Sequence, residues 1–213
     1  EPANTIHLPS FQVRTMDPAF ADDVYSAQEA GRTYEGLLQY HYLKRPYVLV
    51  PNLLESMPEV GADGRTWTLH LKKGVLFQDD PCFRATGGRG REMTAEDVVY
   101  SLRRLADPKV NAPGWWILDG RIAGLNAWRE ALAKNAKPDP ADYAKDVEGL
   151  KVLDRYSVQL RLVQPSRLFM YALAMPFSFV IPKEAVDYYG AEFARHPVGS
   201  GPFQLKEYRT GVS

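Results

Sequence analysis

The 213-residue sequence has few of the side chains that support covalent or metal chemistry: one cysteine and four histidines. A single cysteine cannot form an internal disulfide, and no histidine is near Cys82 in sequence, so we interpret it as a small, partly buried residue in a loop. The histidines form no i, i+4 pair and have no cysteine partner, which argues against a zinc site. We therefore expect no metal and no other cofactor.

Net charge and long apolar runs are also lacking. The 26 basic residues balance 26 acidic ones, so no net field attracts nucleic acid or an anionic membrane, and any binding has to be local. The longest apolar stretch, 169–181, is interrupted by Pro176 and is shorter than the roughly 18 residues of a membrane span. With 45% hydrophobic and 24% charged residues, we expect a globular protein that is not embedded in a membrane and binds no nucleic acid.

The first half of the chain alternates between helical and strand patterns. The dipeptide Asp17-Pro18 predicts a turn, and Asp22 or Asp23 can cap a helix that we expect to end at Gly36. Asp63-Gly64 predicts a hairpin turn, because alternating apolar residues follow it. A short strand is also predicted at Thr5–Leu8.

The second half repeats this mixture. Thr94, with Asp97 three residues later, predicts the start of a helix that ends near Ala106, and Asp154-Arg155 predicts a second hairpin. Further predictions are a loop over 79–92, a helical stretch from Ile122 to Leu132, a short helix from Pro140, a helix over 165–174, a strand over 177–181 and a helix over 182–189 closed by Gly190. The order of elements predicts a mixed α/β or α+β protein with more than one sheet.

Catalytic patterns are weak. In Gly199-Ser200-Gly201 the glycines adjoin the serine, whereas a nucleophile elbow has the pattern G-x-S-x-G, so we interpret the segment as a flexible turn. No base for Ser200 is apparent in the sequence. The loop 87–90, which we interpret as basic and mobile, lacks the Gly-Lys-Ser/Thr ending of a phosphate loop. We therefore expect no enzymatic activity.

Six segments in order resemble landmarks of one family, the bacterial extracellular solute-binding proteins of family 5. They are Met16-Asp17-Pro18, Tyr34-Glu35-Gly36-Leu37-Leu38, Pro51-Asn52-Leu53-Leu54-Glu55-Ser56, Trp67-Thr68-Leu69-His70-Leu71-Lys72-Lys73-Gly74-Val75, Met93-Thr94-Ala95-Glu96-Asp97-Val98-Val99-Tyr100-Ser101-Leu102 and Pro197-Val198-Gly199-Ser200-Gly201-Pro202-Phe203. Each is weak alone, but together they cover the chain from about Thr5 to Tyr208. One departure lies between Phe77 and Met93, where relatives have a short Asp-Gly-Thr-Pro turn.

The resemblance implies a fold like that of type II periplasmic binding proteins, in which two lobes close on a solute. It implies that this sequence holds lobe I in two segments, 1–40 and 165–213, around a small inserted α+β domain at 41–164, and that the second lobe is missing. The sequence starts at Glu1 without methionine or an apolar leader, which fits either a mature exported protein or a shortened chain.

The resemblance also implies candidate ligand-binding residues. Asp22, Asp23, Val24 and Tyr25 resemble the stretch that lies along a bound peptide's backbone, although Asp22 and Asp23 can equally serve only as helix caps. Trp115 and Trp116 fall near the aromatic residue that relatives place over the ligand, and we expect at least one of them to be accessible to solvent. The alternative is that they are core residues of the inserted domain. Ser200, in the last landmark, completes the set.

The function implied is that of a periplasmic receptor that captures a peptide or another small solute and delivers it to the membrane permease subunits of an ABC importer. We expect a monomer, with a lipid anchor at the outer face of the inner membrane possible in the full-length protein. One alternative is a ligand-presenting sensor or chaperone that uses the same clamp. A serine hydrolase is the third and weaker reading, since it needs a base near Ser200.

Overall fold

The computed structural model describes residues 13–135 and 140–208. The predicted strand at Thr5–Leu8 lies outside this part, as does its contact with residues after Pro165, which we predict because both segments belong to lobe I. Among the described helices, none combines the length and the apolar character needed to cross a membrane.

The described chain contains helices and strands in mixed order. The helices are α1 (Val24–Thr33), α2 (Ala95–Ala106), α3 (Leu125–Lys134), α4 (Pro140–Ala144), α5 (Phe169–Ala172) and α6 (Lys183–Tyr189). The strands are β1 (Leu38–Tyr40), β2 (Leu49–Pro51), β3 (Glu59–Val60), β4 (Thr66–His70), β5 (Leu150–Asp154) and β6 (Ser157–Arg161). Short 3-10 helices at Pro18–Phe20, Arg84–Thr86, Pro113–Ile117, Pro176–Ser178 and Gly190–Arg195 connect them.

The larger sheet has four antiparallel strands in the order β3-β4-β6-β5. Both predicted hairpins are confirmed in it. Asp63 forms the first turn by accepting the backbone N–H groups of Arg65 and Thr66, both at 2.9 Å, and these bonds lower the pKa of its carboxyl group to about 2. Alternation along β4 buries Trp67 and Leu69 on one face, as the period-two pattern predicts.

The smaller sheet pairs β1 with β2, and Leu38 lies opposite Pro51. The eight residues between these strands form a projecting hairpin. Its base is fixed to the core, because the N–H of Leu38 donates to the carbonyl of Leu173 at 3.3 Å.

Helices α1 and α2 begin where the sequence predicts. Asp23 caps α1, and the carboxylate of Asp97 accepts the N–H of Thr94 at 2.8 Å in a capping box. The predicted end of α1 at Gly36 was wrong, since the helix ends at Thr33 and Tyr34 is already extended. The reason is packing: a Cβ on Gly36 would lie 3.2 Å from the Phe179 ring, so this glycine allows a close contact rather than a cap.

Three predicted secondary-structure elements, two near the end of the chain and one in its middle, were wrong in type or in length. Residues 177–181 do not form a strand, because Pro176 starts a 3-10 turn that the hydroxyl of Ser178 closes by donating to the carbonyl of Ala172 at 2.7 Å. Helix α5 is accordingly shorter than 165–174. Ile122 lies outside α3 and instead forms a β-bridge with Leu162. Helix α6, with Gly190 after it, is confirmed.

The Gly199-Ser200-Gly201 segment is not the flexible turn that we expected. Both glycines are buried, and a Cβ on Gly199 would lie 2.0 Å from the carbonyl oxygen of Thr33. The N–H of Gly201 donates to that same oxygen at 2.8 Å. Glycine is required here because two backbones approach closely at the end of α1.

One hydrophobic core cluster contains residues from Ala19 to Val198. Backbone bonds also join the early and late segments: the N–H of Met16 donates to the carbonyl of Ala194 at 2.8 Å, and that of Val180 donates to the carbonyl of Glu35 at 3.1 Å. The four-stranded sheet takes all its strands from 59–161. The division into 1–40, 41–164 and 165–213 stays a prediction.

Candidate functional site

The start of α1 exposes the residues that we expected to lie along a ligand. Val24 is 66% exposed and Tyr25 is 38% exposed, whereas Ser26 is fully buried. The carboxylate of Asp23 accepts the N–H groups of Tyr25 and Ser26 and the hydroxyl of Ser26, the last at 2.6 Å. These bonds, led by the one from the Ser26 hydroxyl, lower the pKa of Asp23. Asp23 therefore does act as a helix cap, and its side chain is directed towards its own helix.

A cavity of about 720 Å³ adjoins this helix start. It lies between the turn before α1, the 3-10 turn that begins at Pro113, and the turn at 190–195. The lining includes charged groups of both signs and apolar side chains: Arg14, Asp22, Lys109, Phe20, Val110 and Phe193. Of the predicted ligand residues, the cavity wall thus includes Asp22.

A buried ion pair fixes one wall of this cavity. The guanidinium of Arg104, near the end of α2, donates to both carboxylate oxygens of Asp17 at 2.9 and 2.5 Å. Asp17 also accepts the N–H of Ala19 at 3.1 Å. The two side chains are only 9% and 5% exposed. The pair therefore connects the Met16-Asp17-Pro18 landmark, 87 residues earlier in sequence, to α2.

The two tryptophans predicted to bind the ligand, Trp115 and Trp116, have different environments. Trp115 is half-buried, and the guanidinium of Arg129 lies 4.9 Å from its ring centroid. Trp116 is 56% exposed, so the expectation of one accessible indole is confirmed for Trp116. Trp115 packs against the core, in line with the alternative reading.

Ser200 lies apart from the other predicted residues. Its hydroxyl donates to the carboxylate of Glu35 at 2.8 Å, close to the C-terminal end of α1. Because α1 has ten residues, its two ends are about 15 Å apart. Glu35 is an acceptor that the sequence did not reveal, since 165 positions separate it from Ser200.

This pair does not have the environment of an activated serine. Serine nucleophiles usually lose their proton to an imidazole that a third group orients. The described histidines are occupied elsewhere: His70 with Ser157 and Glu59, His41 with its own turn, and His196 in a stack on Tyr189. Among the described residues, the Ser200 hydroxyl therefore contacts the Glu35 carboxylate, and no histidine there makes the contact that the hydrolase reading needs.

The loop 79–92 is held by side chains rather than free. The hydroxyl of Tyr189 donates to the carboxylate of Asp80 at 2.9 Å, and Asp79 accepts the N–H of Gly90 at 2.8 Å. Cys82 is a free cysteine, only 5% exposed, and burial raises the pKa of its thiol. Arg91 donates to both Asp97 and Glu184, which joins the loop to α2 and α6. In the part of the chain that the structure describes, no cluster of histidine, cysteine and carboxylate side chains could hold a metal ion.

These elements together form part of the fold of a type II periplasmic binding protein. The peptide-bound OppA of Listeria monocytogenes superposes with a TM-score of 0.73 at 23% identity, over 96% of this chain and 36% of that chain. The chain belongs to the bacterial extracellular solute-binding proteins of family 5, whose middle-region model matches residues 48–213.

Two curated relatives show how much of such a protein is present. The probable ABC transporter periplasmic-binding protein SapA of Escherichia coli is 31% identical over 97% of this chain and 35% of its own length. The glutathione-binding protein GsiB of Salmonella choleraesuis is 29% identical over 91% of this chain and 30% of its own length. The chain therefore spans about a third of the relatives that it matches.

Proposed function

We propose that this chain is part of a periplasmic receptor that binds a peptide or a peptide-like solute and delivers it to an ABC importer. The relatives support this class, since they include an ABC transporter periplasmic-binding protein and a glutathione-binding protein. On this proposal the protein acts in the periplasm as a monomer and presents its bound solute to permease subunits. The lipid anchor at the inner membrane belongs to the same proposal for the full-length protein.

The observation that carries the proposal is the cavity beside α1. Arg104 and Asp17 pair with each other, and the wall also carries Arg14 and Lys109 of one sign and Asp22 of the other. A peptide carries an amino group and a carboxylate, so a cavity with charges of both signs suits it. Val24 and Tyr25, which follow Asp22 in sequence, have exposed side chains, so a ligand in the cavity could extend along the start of α1.

We assign the ligand contacts as follows. Asp22 to Tyr25 border the solute, and Trp116 supplies an aromatic surface that tolerates different side chains. Ser200, hydrogen bonded at the other end of α1, supports the position of that helix through Glu35. The supporting fact for an inserted domain at 41–164 between two segments of lobe I is that 59–161 supplies all strands of the larger sheet.

Calorimetry tests the proposal on a receptor of the relatives' full length that contains this chain. Mass spectrometry of co-purified solute first identifies the ligand. Trp116→Ala should then weaken binding by about thirtyfold, as for a buried aromatic anchor, and Asp22→Asn should weaken it as well. The control is Leu153→Ala, another exposed apolar side chain. Unchanged affinity in both site variants would refute the site assignment.

The 213-residue chain alone should bind the solute weakly. A ligand pocket covers about 70 to 90% of a small ligand, and a cavity open on one side leaves the solute hydrated. Each hydrogen bond to the solute then contributes only about 1 kcal/mol net, less than the several kcal/mol lost on immobilisation. Micromolar binding of the solute by the 213-residue chain would show instead that this lobe carries recognition.

A further inference from the structure

The hairpin between β1 and β2 carries large apolar side chains that face solvent. Tyr42 is 88% exposed, Leu43 is 77% exposed and Tyr47 is 64% exposed. Leu168 and Tyr171, just before and within α5, lie beside the hairpin and are also exposed. We call this surface the hairpin patch, and it consists of Tyr40, Tyr42, Leu43, Tyr47, Val48, Leu168 and Tyr171.

Contacts between its own residues hold the hairpin patch in one conformation. Tyr40 packs edge-on against Tyr47, with ring centroids 5.8 Å apart, and contacts Tyr171 at 6.3 Å. The ring of His41 accepts the N–H groups of Leu43 and Lys44, both at 3.2 Å, which folds the tip of the hairpin. A surface that is already ordered loses little conformational entropy on binding.

The charged residues directly beside the hairpin patch are basic. From Gly36 to Leu54 the sequence contains Lys44 and Arg45 but no aspartate or glutamate. The neighbouring groove of about 410 Å³ adds Arg167 and no acidic side chain. The guanidinium of Arg45 lies 4.3 Å from the centroid of the Tyr47 ring, so charge and aromatic surface are presented together. In a chain with no net charge, this local excess of positive charge is a distinct feature.

We infer that the hairpin patch binds the surface of an anionic lipid membrane. Tyrosine prefers the boundary between headgroups and acyl chains, because its ring is apolar and its hydroxyl is polar. The Leu43 side chain at the tip can enter the boundary, while the stems of Lys44 and Arg45 lie along it and direct their charges to the phosphates. A second copy of the chain fits less well, since a symmetric contact places these cations against their own copies. The inference is independent of the proposed solute site.

Vesicle flotation tests the inference on the 213-residue chain. One set of vesicles contains phosphatidylglycerol and phosphatidylcholine in equal parts, and the other contains phosphatidylcholine alone. We expect the chain to float with the anionic vesicles and to be released by high salt, which screens the attraction.

Two variants separate charge from apolar contact. Lys44→Glu/Arg45→Glu should weaken the association by tenfold or more, because each basic residue near an anionic surface contributes to binding, and Tyr42→Ser/Leu43→Ser should weaken it to a similar degree. The matched control, Lys151→Glu/Lys206→Glu, makes the same change in net charge at two exposed lysines outside the patch and should keep most of the association. Circular dichroism of each variant checks the fold.

Three results would overturn the inference. One is an absence of flotation with anionic vesicles at low salt, and another is an equal loss in the control and in the patch variant. The third is a dimer in sedimentation that Tyr42→Ser/Leu43→Ser abolishes while vesicles leave the chain behind, which would make the patch a protein interface.

Discussion

Removal of the charge of Asp17 should destabilise the chain strongly. Asp17→Asn keeps the size of the side chain and an oxygen for the N–H of Ala19, but it leaves the guanidinium of Arg104 buried without a carboxylate. The two side chains are 5% and 9% exposed, so solvent cannot replace the lost partner. Breaking a buried pair in this way typically costs about 3 to 5 kcal/mol.

Urea unfolding followed by circular dichroism measures this cost. With a slope of about 2 kcal/mol per molar urea, the midpoint should fall by roughly 1.5 to 2.5 M. Glu148→Gln is the control, because its pair with Arg161 is at the surface, with side chains 58% and 45% exposed. An exposed pair contributes at most about 1 kcal/mol.

A double variant completes the test. Asp17→Asn/Arg104→Met removes the stranded charge together with its partner, so it should be more stable than Asp17→Asn alone. If Asp17→Asn costs no more than Glu148→Gln, or if the two single effects simply add, the pair does not hold the cavity wall as we argue.

Three further predictions concern backbone packing, pH and the exposed indole. Gly199→Ala should lower the free energy of unfolding by about 3 kcal/mol or more, because its Cβ would meet the backbone of α1. The control is Gly31→Ala, an exposed helical site with ordinary contacts, which should raise the free energy of unfolding by about 0.5 to 1 kcal/mol. Equal urea midpoints for the two variants would refute the packing argument. Because folding lowers the pKa of Asp23, its carboxylate stabilises the chain above the pKa that Asp23 has when unfolded, and this contribution is lost as pH falls through its pKa in the folded chain. Asp23→Asn should therefore lose less stability than the parent between about pH 5 and pH 3. Trp116→Ala should change the free energy of unfolding by less than about 0.5 kcal/mol, while Trp67→Ala, in the core, should cost about 3 to 5 kcal/mol, and a large effect at Trp116 would show that its ring is structural.

Local patterns predicted the parts of the fold that local chemistry decides. Asp23, Thr94 and Asp63 form the caps and the turn that their side chains favour, because their hydrogen bonds reach only two or three residues along the chain. The same reasoning misplaced the strand at 177–181. There the apolar pattern reflects burial against the core, and Pro176 together with the Ser178 hydroxyl decides the backbone conformation.

The glycines show why the candidate site was only partly predictable. In sequence, Gly36 resembles a helix end and Gly199 a flexible turn, since glycine supports both. Their actual role is contact with distant residues: Gly36 with Phe179, and Gly199 with Thr33. Sequence spacing carries no information on such contacts, so the landmarks around these glycines could be recognised by resemblance before their physical reason was known.

Helix α1 connects these features, since separate contacts fix its two ends. At the N-terminal end, the Ser26 hydroxyl accepts the N–H of Arg14 at 3.1 Å, and Asp23 caps the first turn. At the C-terminal end, Gly201 and Phe203 donate to the carbonyls of Thr33 and Arg32. A helix held at both ends cannot shift along its axis without breaking one set of bonds. The residues that border the cavity are therefore placed by contacts made about 15 Å away, and a variant such as Gly199→Ala should weaken solute binding in a full-length receptor even though it touches no solute.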